Sequence, residues 1–140
     1  MDHLKFAFNS TYFELDYYDR AISYVNQKHP KDLTLFYVLS DDPEWALDTF
    51  EGKYDNVVVY QPQEKILPDP YNLWFTHQSI GHDLALLSLA NISILSYGTF
   101  GLWGSFLSNS SEIIVSSNMM RETKEGLELS RAHLSQVTEI

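Results

Sequence analysis

Four short apolar runs that alternate with segments of helical periodicity constrain this chain more than any other feature. The runs lie at residues 33–39, 56–61, 93–96 and 112–116, and each has the length of a strand. The first of them, LTLFYVL, is continuously apolar, which is typical of a strand buried on both faces of a parallel sheet. Strands that alternate with helices across short connections predict an α/β fold with a doubly wound parallel sheet.

Helical patterns separate these runs. Residues 12–29 place Tyr18, Ala21, Ile22 and Val25 at the spacing of one helix face, and Pro30 ends the segment. Further helices are predicted at residues 43–50, 77–90 and 99–107. The chain has 140 residues, enough for one domain. We expect this domain to cover residues 1–117. Residues 118–140 show only weak periodicity and predict a weakly structured tail.

The charge balance excludes several classes of function. Nineteen acidic against nine basic residues give a net charge of −10, which disfavours binding to nucleic acids or to anionic membranes. An anionic ligand must therefore be held by backbone amides or by basic residues supplied from elsewhere. The chain has no cysteine, which excludes disulfides and thiolate metal sites. No signal peptide or membrane span is visible in the sequence.

Three N-x-S/T sequons begin at Asn9, Asn91 and Asn109. They slightly favour a secretory-pathway protein, and Asn9 and Asn109 are the glycosylation candidates. A chance origin in a chain rich in Ser and Asn explains them equally well.

Polar residues follow the predicted strands at the edge where ligands bind in doubly wound sheets. Ser40, Asp41 and Asp42 follow the first strand. Asp42 before Pro43 is a good helix cap, and the alternative is that the three residues line a polar pocket. No third metal ligand lies at a useful spacing, so we predict no metal site.

The turn Gly98-Thr99-Phe100-Gly101 follows the third strand and opens a helix. Gly98 permits a sharp turn, Thr99 can cap the helix, and Gly101 allows a close approach of the backbone. The first-turn amides and the helix dipole suit a pyrophosphate. An ordinary strand-to-helix turn explains the same residues equally well.

Two further places carry candidate ligand contacts. Asp83, beside His82, either makes a favourable contact with its helix dipole or reads guanine through paired hydrogen bonds. Trp74 and His77 belong to or adjoin a proline-rich loop at residues 61–75, where an aromatic ring can stack on an acceptor sugar. Trp45 and Trp103, in helices, are interpreted as core or interdomain packing.

Three segments together resemble the α-1,2-fucosyltransferases, glycosyltransferase family 11. They are FYVLSDDPEW at residues 36–45, HDLALLSLANISILSYGTFGLWGSFLS at residues 82–108 and EIIVSS at residues 112–117. The family has an S-D-D-x-x-W segment after a strand, and a D-x-A-L-x-S/T segment that leads to a T-F-G/S-x-W helix. The order and spacing agree over residues 12–117.

This resemblance implies a GT-B enzyme whose C-terminal Rossmann-like half binds GDP-fucose. Such an enzyme transfers fucose to O2 of a galactose-terminated glycan with inversion, without a metal or other cofactor. The segment TFGLW at residues 99–103 is closer to the animal-type members, which implies an anchored enzyme on the lumenal side of the Golgi membrane. By position, Asp83 beside His82 would read guanine, Thr99–Gly101 would contact the pyrophosphate after the Gly98 turn, and Ser40–Asp42 would form a pocket wall.

One family motif is missing from the sequence. The basic H-x-R-R-x-D motif lies upstream of the segment that matches residue 12, and the only arginines here are Arg20, Arg121 and Arg131. We therefore expect this chain by itself to be a poor or inactive catalyst. The alternative function is an inactive homologue that binds a nucleotide sugar or a glycan. A phospho-acceptor signalling domain is disfavoured, because no aspartate ends the NVVVY strand and no lysine follows EIIVSS.

Overall fold

The fold is taken from a computed structural model that describes residues 15–40, 42–61, 77–96, 99–108, 110–117 and 136–140, the side chains of residues 15 and 77–79 excepted. The helices are α1 (Leu15–Lys28), α2 (Pro43–Phe50), α3 (His77–Ser88) and α4 (Thr99–Leu107), with a 3-10 turn at Lys31–Leu33. The strands are β1 (Phe36–Val38), β2 (Val57–Val59), β3 (Ile92–Leu95), β4 (Glu112–Val115) and β5 (Val137–Glu139).

All described strand pairs are parallel, which confirms the predicted α/β class with a Rossmann-like arrangement. They form two hydrogen-bonded ladders, one of β1 with β2 and one in the order β3, β4, β5. Phe36 is level with Val57 in the first ladder. In the second, Ile92 is level with Glu112, and Ile113 with Val137.

Helix α1 packs against both ladders. Tyr17, Ala21 and Val25 form one cluster with Ile114 of β4, and partly buried side chains of β1 and β3 pack on it. On the adjoining face of α1, Ile22 joins α2 in a second cluster over β1 and β2. The predicted apolar stripe of this helix is therefore its buried face, and it connects the two ladders.

Helices cover both faces of the second ladder. Helix α4 places Leu102 against Leu95, Ile113 and Val115, on the face opposite α1. Every residue of β4 is buried, as expected for a strand between two helical layers. Helix α3 packs against α4.

The expectation that residues 33–39 are buried on both faces is wrong. Leu33 belongs to the 3-10 turn and Leu35 precedes β1, and both are exposed. Tyr37 of β1 and Val58 of β2 remain 52% and 42% exposed. The physical reason is the pleat: α1 and α2 both pack on the face that carries Phe36 and Val38, so the alternate residues point away from them.

The C-terminal residues contain a strand that the sequence did not predict. Val137–Glu139 pairs with β4 as β5, although residues 118–140 were predicted to be weakly structured. Three residues are too few to carry a periodicity signal, so only pairing with β4 identifies them. The division of the chain at residue 117 stays a prediction. The predicted loop at residues 61–75 lies outside the described residues, apart from Gln61.

Candidate functional site

Asp42 caps helix α2 at the carboxyl end of β1. Its carboxylate accepts a hydrogen bond from the Trp45 amide at 3.0 Å, and Pro43 occupies the first helical position. The Ser40 hydroxyl accepts a hydrogen bond from the Asp42 amide at 3.0 Å. Both side chains therefore organise the start of α2. This agrees with the capping interpretation, whereas their predicted role in a pocket wall stays untested. Asp41 lies outside the described residues.

Helix α4 begins at the carboxyl end of β3, as the turn predicts. Thr99 and Phe100 are exposed in its first turn, while Gly101 is half-buried. A methyl group at Gly101 would lie 3.2 Å from Cδ2 of Leu95, so the close approach expected at this glycine is made by a side chain of β3. Gly98 lies outside the described residues.

Asp83 is half-buried on α3, and His82 beside it is exposed. Burial raises the pKa of the Asp83 carboxyl, and the charge of His82 opposes this rise. Among the described residues, no side chain or amide donates a hydrogen bond to Asp83. The two oxygens of a half-buried carboxylate are the kind of acceptor pair that guanine recognition requires.

Helices α3 and α4 are in direct contact one turn from Asp83. An ideal Cβ on Gly104 would lie 2.6 Å from the Leu87 Cβ, so Leu87 packs directly on the α4 backbone. Both helices run from the carboxyl edge of the sheet toward its amino edge, because each leads by a short connection into a parallel strand. Four residues earlier, on the same faces, lie Asp83 of α3 and Phe100 of α4. Asp83 and the first turn of α4 therefore each lie about one turn before this contact, on the side of the carboxyl edge.

All four lysine and arginine side chains within the described ranges pair with carboxylates. Arg20 contacts Asp16, and Lys53 contacts Asp19 at 2.7 Å. The remaining pairs are Lys28 with Glu112 at 3.3 Å and Lys31 with Asp55 at 3.4 Å. In this part of the chain no lysine or arginine is left unpaired, so the backbone amides at the start of α4 are candidate donors for an anionic ligand at the carboxyl edge of β3.

Comparison with known protein families identifies the class of this protein. The sequence model of glycosyl transferase family 11 matches residues 10–131, which include α1 to α4 and β1 to β4. This chain belongs to glycosyl transferase family 11. The resemblance inferred from three sequence segments is thereby confirmed.

Two curated proteins are similar to this family 11 chain. Galactoside alpha-(1,2)-fucosyltransferase 1 from Rattus norvegicus and its counterpart from Mus musculus are each 26% identical over 101 residues. The aligned part is 72% of this chain and only 23% of each relative, so the chain spans a small part of the relatives' length. No solved structure matches the chain.

Several predicted contacts of the family 11 chain lie outside the described residues: Trp74, Asn9 and Asn109. The backbone of His77 begins α3, but its side chain is not described. Asn91 is exposed, whereas Ser93 of the same sequon is buried in β3, with its hydroxyl 3.0 Å from that of Ser110. In the folded chain, this sequon is therefore not an open loop.

The helical tryptophans differ in environment. Trp45 is half-buried and packs edge-on against Tyr18 and Phe50, as predicted. Trp103 is 60% exposed and lies edge-on to Phe106, so core packing is wrong for this residue. Its predicted alternative, packing between domains, stays untested.

Sequence reasoning missed Gly104. A glycine inside a helix costs about 1 kcal/mol relative to alanine, so a second glycine within the nine residues of α4 was the available signal. The described residues contain neither a cluster of three potential metal ligands nor a membrane-crossing helix, and α1, their longest helix, has 14 residues.

Proposed function

We propose that this chain is the donor-binding part of a galactoside α-1,2-fucosyltransferase and binds GDP-fucose. The observation that carries the proposal is a half-buried Asp83, whose pKa is raised by burial, on a helix that packs directly against α4 about one turn from Asp83, in a chain of family 11. In the complete enzyme, fucose would pass to O2 of a galactose-terminated glycan with inversion.

The first turn of α4 would hold the diphosphate. Its amides are not used by the hydrogen bonds of the helix, and they point toward the carboxyl edge of the sheet together with the positive end of the helix dipole. Fucosyl transfer passes through an oxocarbenium-like transition state in which negative charge develops on the departing diphosphate. Donors already oriented at that position stabilise this charge without reorganisation.

Asp83 would select the base. Its two carboxylate oxygens can accept from N1–H and from the exocyclic amine of guanine, a pair that adenine does not offer. Because only the ionised carboxylate accepts both bonds, the raised pKa of Asp83 has a consequence. GDP affinity is expected to fall as the pH drops through that pKa, whereas ADP affinity stays level.

The test is titration calorimetry of the folded 140-residue chain with GDP, GDP-fucose, ADP and UDP. The expected order places both guanine nucleotides first. Asp83→Asn should lower GDP affinity about 10- to 100-fold, the equivalent of a lost charge-assisted hydrogen bond, and should remove the pH dependence. The control is Asp48→Asn, an exposed carboxylate of α2, which should change neither. Equal binding of the three bases by the parent chain would contradict the proposal.

Metal independence belongs to the same proposal. Because amides and a carboxylate account for the contacts, EDTA should leave the GDP affinity unchanged when measured in the same calorimeter. An affinity that falls with EDTA and returns with Mg²⁺ would show that the diphosphate is held through a cation.

A catalytically inactive, nucleotide-sugar-binding homologue is the second candidate. It is favoured by the ion pairing of every lysine and arginine side chain in the described ranges, which leaves no unpaired lysine or arginine there to neutralise a leaving diphosphate. A transfer assay with a galactose-terminated acceptor separates the two candidates. Activity that appears only when an upstream half carrying H-x-R-R-x-D is added identifies a donor-binding part, and no activity in either case identifies a binding protein.

Location follows from the same proposal. As part of an animal-type enzyme, the chain would reside on the lumenal side of the Golgi membrane, where Asn9 and Asn109 would be open to glycosylation. Treatment of protein from a secretory host with an N-glycosidase, followed by intact mass measurement, tests the two asparagines.

A further inference from the structure

We infer that Gly104 is a positioning residue for nucleotide selectivity. Its lack of a side chain lets Leu87 of α3 pack on α4, and this contact sets the position of Asp83 relative to the first turn of α4. The inference rests on the proposed function, and it concerns a residue that is not itself a predicted donor contact.

The steric observation is specific to this glycine. A methyl group at Gly104 would lie 2.6 Å from Cβ, 2.7 Å from Cδ1 and 3.2 Å from Cγ of Leu87. Real Cβ atoms do not approach other atoms this closely, and the Leu87 Cβ is attached to the α3 backbone. Relief therefore requires the two helices to separate or to slide, because a change of rotamer cannot move Cβ.

This contact lies one turn from Asp83. Leu87 and Asp83 share a face of α3, and Gly104 and Phe100 share a face of α4. Four residues correspond to about 6 Å along each helix axis. Separation of the helices at Gly104 would consequently change the distance between the Asp83 carboxylate and the first-turn amides of α4.

A guanine nucleotide would contact the Asp83 carboxylate and the first-turn amides of α4 at the same time. Its base would bind Asp83 while its diphosphate binds the amides, so the distance between these groups must match the ligand. Paired hydrogen bonds tolerate about 0.5 Å of misplacement. ADP and UDP do not use the carboxylate in this way, and they should be insensitive to the helix spacing.

Gly104→Ala tests the inference by calorimetry on the full 140-residue chain. We expect the ratio of GDP to ADP affinity to fall about 10- to 100-fold, with ADP affinity unchanged. The matched control is Gly81→Ala, also in a helix, where no atom lies within 4 Å of an added Cβ. This control variant should keep the parent ratio of GDP to ADP affinity.

A second substitution that moves the glycine from α4 to α3 provides a rescue. Leu87→Gly in the Gly104→Ala background removes all three Leu87 atoms that the alanine methyl would meet. Partial return of the ratio supports the inference. If Gly104 only stabilised the fold, the losses of stability from the two substitutions would add, and the ratio of GDP to ADP affinity would not recover.

If Gly104→Ala does not fold, as judged by its circular dichroism spectrum, the test passes to Leu87→Ile, which adds a substituent to the Cβ that contacts α4 and so widens the same contact from α3. A lowered ratio supports the inference, and an unchanged ratio overturns it. A folded Gly104→Ala chain with the parent ratio also overturns it. Equal binding of all nucleotides by the parent chain is a separate result, since it contradicts the proposed function before any variant is made.

Discussion

At the scale of single residues, two glycines in this chain are required for different reasons. Gly104 is needed because an added side chain would meet Leu87 at 2.6 Å. Gly52 follows α2 with φ at +70°, yet nothing lies within 4 Å of an added Cβ. The first glycine reflects packing between helices, and the second reflects the backbone angle alone.

Gly52→Ala should lower the free energy of unfolding by about 1 kcal/mol, because the left-handed backbone region is strained for a residue with a Cβ. Urea unfolding of the variant and the parent measures this difference. Gly52→Asn is the control, since asparagine tolerates that region, and it should recover part of the loss. Equal stability of all three proteins would mean that the turn changes its conformation without strain.

At the scale of elements, α1 is the helix that connects the two ladders. Its buried Tyr17 donates a hydrogen bond from its hydroxyl to the carbonyl of Leu95 at 2.7 Å, and the carbonyl of Ile114 lies 3.2 Å from the same oxygen. Burial raises the pKa of Tyr17, and the neighbouring Tyr18 adds to the rise, so the hydroxyl remains a donor. This polar contact orients α1 on β3 and β4.

Tyr17→Phe should lower the free energy of unfolding by about 1–2 kcal/mol, because it leaves buried carbonyl groups without this donor. Thermal and urea unfolding followed by circular dichroism measure the loss. Tyr37→Phe removes a hydroxyl from a half-exposed ring of β1 and should change stability little. A Tyr17→Phe chain as stable as the parent would show that packing alone orients α1.

At the scale of the whole molecule, Glu112 joins three parts of the chain that are far apart in sequence. Its buried carboxylate accepts hydrogen bonds from Tyr24 at 2.7 Å and Lys28 at 3.3 Å, both on α1, and from Thr138 of β5. Burial would raise the pKa of Glu112, but the bonds from Thr138, Tyr24 and Lys28 outweigh it and lower the pKa. This carboxylate therefore stabilises the fold when it is ionised.

Stability should consequently depend on pH through Glu112. A carboxyl group whose pKa is lower in the folded chain stabilises it above the pKa of the unfolded state, and the contribution is lost as the pH falls through the folded pKa. Glu112→Gln should lower the free energy of unfolding by about 1–3 kcal/mol at pH 7, and by less at acidic pH. Urea unfolding at several pH values measures this, with the exposed Glu51→Gln as control. A loss of stability that does not depend on pH would contradict this prediction. It would show that the glutamine destabilises the fold through altered packing and not through the missing charge.

The candidate site was predictable where local chemistry dictates it. Asp42 before Pro43 specifies a helix cap, and the structure has that cap. The turn before Thr99 specifies the start of α4. The position of Asp83 relative to this turn was not predictable, because it depends on how α3 packs against α4 at Gly104. This packing depends on the surfaces of both helices, and neither segment alone specifies it.

The alternation of apolar runs with helical periodicity by itself determined the α/β class and the parallel strands, because burial and local hydrogen bonding act over a few neighbouring residues. The family followed from the resemblance of three sequence segments. Only the tertiary structure decided that the strands form two ladders connected by α1 and that residues 137–139 join as β5. It also decided that Tyr37 and Trp103 stay exposed. These outcomes depend on which surfaces meet across distant parts of the chain, and a periodicity read along the sequence carries no information about those contacts.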